Sequence, residues 1–171
     1  MRVVAIEAVD PVLRVDRHRT RLHVQPLRRL LPVLAHPIVI FDRDGKFLSS
    51  WGAGLFKFPH AIRIVQENGE DRVWLCDEHH NQFYKFTTDG KLLQTIGEKG
   101  ARSDTGVPDT EWSAAAFKQV THGGGPFNLP TDIAFAPDGS MFMTDGYGNA
   151  RVHKFATDMR LLVCPERREI A

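Results

Sequence analysis

Histidine, tyrosine and cysteine are the residues of this chain best suited to bind a metal or move a proton, and their placement separates them. His60 follows Pro59 at the start of an apolar run, and Tyr147 stands in Asp145-Gly146-Tyr147, just past another such run. Imidazole is a borderline ligand suited to zinc, and three imidazoles around one ion leave a fourth position open for substrate. A tyrosine, with a reference pKa of about 10, serves as a base only where cationic charge lowers it, as a metal does. The plainer readings are a histidine bonded to backbone and an aromatic exposed in a turn. His79 and His80 are adjacent, so their side chains alternate and a regular strand cannot turn both to one metal; they read as loop residues. His122 precedes Gly123-Gly124-Gly125, but no strand and helix flank that triplet as a phosphate cradle requires. Cys76 and Cys164 stand in no Cys-x-x-Cys or Cys/His pattern and are too few for a disulfide framework.

The elements that must position these side chains repeat along the chain. Leu55-Phe56-Lys57-Phe58-Pro59-His60-Ala61-Ile62 aligns with Pro126-Phe127-Asn128-Leu129-Pro130-Thr131-Asp132-Ile133. Each stretch leads to an apolar run ending in Asp, Val73 to Asp77 and Met141 to Asp145, then to a third run, Gln82 to Phe86 and Arg151 to Phe155. A half-copy precedes them, from Pro37 through Asp44-Gly45 to Trp51-Gly52. The Asp-Gly pairs at 44–45, 89–90 and 138–139 lie between β-rich runs, where glycine accepts the positive φ of a hairpin turn. Four short antiparallel strands per repeat of about 40 residues make a propeller blade, which must stack on neighbours to bury its faces. No 3.6-residue apolar stripe supports a helical alternative. The expectation is an all-β propeller fragment of two to three blades over residues 38–163. A 31-residue insertion at 98–128 would lie over the ring face, with Trp112 and Phe117 packing it down. Trp51 and Trp74 read as blade-packing core, Trp74 alternating inward from Val73.

With 22 Lys and Arg against 21 Asp and Glu the chain carries a formal charge of +1, which gives no electrostatic footprint for nucleic acid. No run of eighteen apolar residues could span a membrane. Glu7 and Asp10 interrupt the only stretch that could be an export signal, so no compartment is read. Residues 1–37 hold seven Arg, four Pro and none of the 14 Gly. Although Arg14, Arg17, Arg19, Arg21, Arg28 and Arg29 could form a basic arm, this segment is expected to be poorly ordered or foreign to the repeat, as is the tail 164–171. About three blades fall short of the four to eight of a closed ring. Unpaired strand edges then favour self-association.

The repeated blocks, Pro-x-x-Ile, an apolar strand ending in Asp, Lys-Phe and Asp-Gly-Lys-Leu-Leu, resemble NHL repeats over residues 38 to about 163. A narrower resemblance lies in Leu55-Phe56-Lys57-Phe58-Pro59-His60, Pro126 to Asp132 and Thr144-Asp145-Gly146-Tyr147-Gly148-Asn149-Ala150-Arg151. These phrases are similar to the peptidyl-α-hydroxyglycine α-amidating lyase family, a six-bladed propeller with zinc held by three histidines. The resemblance implies that His60 is a zinc ligand, Tyr147 the catalytic tyrosine, and Ile62 a backbone carbonyl for a structural calcium. It further implies a peptide or small hydroxylated amide as substrate, cleaved at its C–N bond to an amide and glyoxylate. The family's other two zinc histidines would fall in blades beyond residue 171. Its arginine phrase is replaced here by Leu34-Ala35-His36-Pro37. This chain alone is therefore not expected to assemble the zinc centre or to be active. A non-catalytic module binding protein or peptide ligands is the alternative.

Overall fold

The computed structural model describes residues 3–6, 13–15, 36–108 and 113–163. Arg17, Arg19, Arg21, Arg28, Arg29, Trp112 and the tail 164–171 lie outside the described residues. Among the described residues, twelve strands form three four-stranded antiparallel sheets. In the second sheet β5 (Pro59–Glu67), β6 (Glu70–Asp77), β7 (Gln82–Thr87) and β8 (Leu92–Ile96) follow one another as a meander. The third sheet repeats it with β9 (Asp132–Phe135), β10 (Met141–Asp145), β11 (Arg151–Phe155) and β12 (Leu161–Val163). In the first, β3 (Ile38–Phe41) and β4 (Phe47–Trp51) match the half-copy read from the sequence. β1 (Val3–Ile6) pairs with β3, and β2 (Leu13–Val15) pairs with β1, giving the order β2-β1-β3-β4. This is the all-β bladed architecture that the repeat requires.

One turn recurs in every described sheet and explains why the strands end where they do. Gly45, Gly90 and Gly139 have φ of 81°, 93° and 80°, and each amide closes a turn on the carbonyl three residues earlier. Beyond the turn the register slips at Ile40/Phe41 and Lys85/Phe86, whereas β9 and β10 run in regular register past Gly139. The fourth such turn carries Met159 at φ 68° where the others carry glycine, and the slip recurs at Lys154/Phe155.

Packing is blade on blade. Ile38 and Ile40 of the first sheet meet Ile62, Val73, Leu75, Tyr84 and Phe86 of the second. Its opposite face, with Ala61, Trp74, Cys76 and Phe83, meets Ile133, Met141, Met143 and Phe155 of the third. Trp74 and Val73 are both fully buried, so the single inward-facing pattern expected for this strand gives way to burial on both faces, because the middle blade is covered from each side. Burial of an aromatic the size of Trp74 removes roughly 150–250 Å² from water, an upper bound of about 4–6 kcal/mol. Trp51 packs at the rim of the first interface and donates its indole N–H to Thr88 O at 3.2 Å.

Candidate functional site

Two buried aspartates hold the chain segments that bear the site. Asp77, at the end of β6, accepts the backbone amides of Lys57 (2.7 Å), Phe58 (2.9 Å) and His80 (3.2 Å). Asp145, at the end of β10, accepts the Asn128 amide on both carboxylate oxygens at 3.0 Å and Asn149 Nδ2 at 2.7 Å. Each fastens the segment entering its own sheet to the strand beside it. The recurrence of Asp after an apolar run is thus a clamp on amides that would otherwise be buried without partners. His153 Nδ1 has no partner among the described residues, which places the ring proton on Nε2, 3.1 Å from Asp145 Oδ2.

Within the first clamped segment the pairing of β5 with β6 skips a residue. Pro59 pairs with Asp77 and Ala61 with Cys76, so His60 is the additional residue of a β-bulge. Bulges re-aim side chains, and this one turns His60 toward the third sheet together with Ala61 and Arg63. His60 Nδ1–H donates to Thr131 O at 2.8 Å. That bond fixes the tautomer and leaves the lone pair on Nε2. Nε2 faces Tyr147 Oη at 3.5 Å and Glu78 Oε2 at 3.7 Å. The rings of His60 and Tyr147 meet edge to face, with centroids 5.8 Å apart.

His60 and Tyr147 border an open cavity of about 650 Å³, lined also by Ala61, Arg63, Thr131, Asp132 and Gly146. Arg63 crosses from β5 to pair with Asp132 of β9. Tyr147, 36% exposed, also packs against Phe117 at 5.3 Å. Phe117 belongs to α1 (Ala114–Phe117), capped by Ser113, whose hydroxyl accepts the Ala116 amide at 3.1 Å. The insertion is tied down where Ser103 N donates to Phe127 O at 2.9 Å and Asn128 Nδ2 donates to Ser103 O at 2.9 Å. Phe117 therefore packs the insertion against the site, as its residue type suggested.

The other candidates separate. His79 stacks on Phe58 at 4.8 Å, while His80 turns to Asp77 Oδ2 (2.9 Å) and Tyr84 Oη (3.2 Å). Burial pushes the His80 imidazole below its ordinary pKa, against the opposing pull of Asp77. His122 is exposed beside Thr121 and Asp104. Cys76 donates its thiol to Pro130 O at 3.2 Å, and burial pushes that thiol well above its ordinary pKa, so it is suited to packing and not to attack. Ile62 is fully buried between the first two sheets, and its carbonyl accepts Arg63 Nη1 at 2.9 Å. Sequence reasoning passed over Arg63, although its place three residues after His60 was visible.

Among the described residues no group of three or more His, Cys, Asp or Glu converges as a ready metal site, and no helix is long and apolar enough to cross a membrane. His60 by itself has the features of a ligand. One ring nitrogen is held by a backbone carbonyl, as the outer partner of a metal-bound imidazole usually is, and the other points into the cavity.

No family model matches the chain. It is 33% identical over 119 residues to a probable peptidyl-α-hydroxyglycine α-amidating lyase of Caenorhabditis elegans, covering 69% of this chain and 28% of that protein. It is 31% identical over 122 residues to peptidyl-α-hydroxyglycine α-amidating lyase 1 of Drosophila melanogaster, covering 70% and 18%. The chain thus spans less than a third of the length of these relatives. Among solved structures, a catalytically inactive variant of virginiamycin B lyase from Staphylococcus aureus, with quinupristin, aligns at a TM-score of 0.44 and 16% identity, over 78% of this chain and 34% of that one.

Proposed function

We propose that this chain, a relative of the peptidyl-α-hydroxyglycine α-amidating lyases, carries part of a C–N lyase site in which His60 binds zinc and Tyr147 moves the substrate's proton. The observation that carries the reading is the pairing of a tautomer-fixed His60, its Nε2 turned to the cavity, with the Tyr147 hydroxyl 3.5 Å away. Zinc bound at His60 would polarise a substrate hydroxyl and favour the ionised form of a nearby phenol.

The chain's own residues account for the rest. Tyr147 presents its oxygen at the cavity mouth, where a substrate reaches it, and Phe117 restricts the ring from one side. As phenolate it takes the proton of the α-hydroxyl. The oxygen lone pair forms a C=O bond, the C–N bond breaks, and its electron pair goes to the amide nitrogen. That nitrogen takes up the proton, giving a peptide amide and glyoxylate, so atoms and charge balance. Thr131 holds His60 in one orientation through its carbonyl, and Asp145, accepting Asn149 Nδ2, closes the turn that bears Tyr147.

The test is glyoxylate release from an N-acyl-α-hydroxyglycine peptide by a zinc-supplemented, full-length form that supplies the later blades. Chelation should abolish it, and Tyr147→Phe should lower kcat by about 10²–10⁴-fold, the usual scale for a lost general base. Normal turnover by Tyr147→Phe overturns the assignment. A second reading rests on the single imidazole that the described residues direct at the cavity: a non-catalytic module that holds peptide ligands there. Peptide binding without any glyoxylate release would select it.

A further inference from the structure

Of the described residues that line this cavity, Arg63 alone carries an ammonium or guanidinium group, and nothing in the reading above uses it. Its place is set by the strand. The bulge turns His60 to the face that Ala61 and Arg63 share, so imidazole and guanidinium rise from one side of β5. Two consecutive residues of the third sheet then fix them. Thr131 O accepts the Nδ1–H of His60 at 2.8 Å, and the next residue, Asp132, accepts Arg63 Nη2 on its Oδ2. Ile62 O holds the guanidinium at a second point, accepting Nη1 at 2.9 Å. Asp132 is itself tied down, its Oδ1 accepting the Ile133 amide at 2.7 Å. Arg63 is therefore oriented before any ligand arrives.

Donor arithmetic shows what this orientation leaves open. A guanidinium carries five N–H donors, and Ile62 O and Asp132 Oδ2 engage one each. The side chain is 40% exposed, and no nitrogen of Arg63 is buried without a partner, so the remaining donors reach solvent at the cavity. Asp132 balances the charge of Arg63, and at 38% exposure water screens it. The pair therefore draws no anion by net charge; what it offers is direction. A carboxylate takes two parallel N–H groups of one guanidinium, a geometry that a neutral amide carbonyl with its single oxygen cannot match.

We propose that Arg63, oriented by Asp132, selects ligands that end in a free carboxylate, holding that group while the neighbouring hydroxyl lies at His60 and Tyr147. The inference rests on the lyase reading for the place of the hydroxyl, and it is tested by binding, independently of turnover.

A full-length form that supplies the later blades, kept free of zinc so that no metal holds the anion, is titrated by calorimetry with N-benzoylglycine and with its primary amide. The wild type should prefer the carboxylate about tenfold or more, the scale of a charge-assisted hydrogen-bond pair. Equal affinity for the two, or binding of neither, overturns the proposal, and this comparison needs no variant to fold. Arg63→Gln should bring the carboxylate down to the affinity of the amide and leave the amide unchanged. A loss that falls equally on both ligands marks a bond that only joins two sheets, and overturns the proposal as well. The lyase reading fails separately. A protein that keeps the preference for the carboxylate yet releases no glyoxylate with zinc restored retains this site and loses that function.

Discussion

Replacing Asp145 by Ala should remove a large part of the chain's stability, and the cost can be worked from its partners. The fully buried carboxylate accepts Asn128 N on both oxygens at 3.0 Å, Asn149 Nδ2 at 2.7 Å and His153 Nε2 at 3.1 Å. Asn149 Nδ2 keeps a second acceptor in Gly124 O at 2.7 Å, so its loss is partial. The Asn128 amide and the His153 ring N–H are left without acceptors in a dry interior, at about 1–3 kcal/mol each. Together with the methylene and carboxylate volume removed, the total is roughly 3–5 kcal/mol, the scale of breaking a buried charged pair. Asp145→Asn retains one oxygen for Asn128 N but turns an NH₂ toward a donor, and should cost about half as much. Urea unfolding followed by tryptophan fluorescence reads both, with the midpoint moving and the slope unchanged. A loss below about 1 kcal/mol for Asp145→Ala would refute the view that this aspartate clamps the segment entering the third sheet.

Two further outcomes follow from named contacts. Because burial lowers the folded-state pKa of His80, the unfolded chain binds the proton more readily; stability should be full above pH of about 6.5 and fall as pH drops below it, and His80→Gln should flatten that slope in urea midpoints taken between pH 7.5 and 5. Gly97 has φ 93°, and a Cβ there would lie 2.4 Å from Asn81 O, so Gly97→Ala should cost more than about 2 kcal/mol, read as a lowered melting temperature.

The sequence made the sheets legible because their turns and strands repeat at one spacing. Asp-Gly pairs announced three of the four turns; at the fourth no glycine stands, and a methionine gives no sign of the left-handed backbone that Met159 adopts. Its side chain packs against the core between the second and third sheets, which offsets the strain of its φ. The aspartates closing β6 and β10 were visible as a pattern, but their role as amide clamps depends on segments seventeen or more residues away and becomes evident only in three dimensions. Val3–Ile6 and Leu13–Val15 share no phrase with the later blades, so nothing in the repeat foretold that the first would pair with β3 and the second with the first. His60 and Tyr147 were legible as candidates through resemblance.

The bulge at His60 has a meaning for how such a chain can change. Pairing is regular on both sides of it, Pro59 with Asp77 and Ala61 with Cys76. A deletion of that single codon would leave every other partner of β5 in place and close the strand into an ordinary pleat. Architecture and reactivity are therefore inherited separately at this point. The blade needs the residues on either side of His60, and only the cavity needs His60 itself.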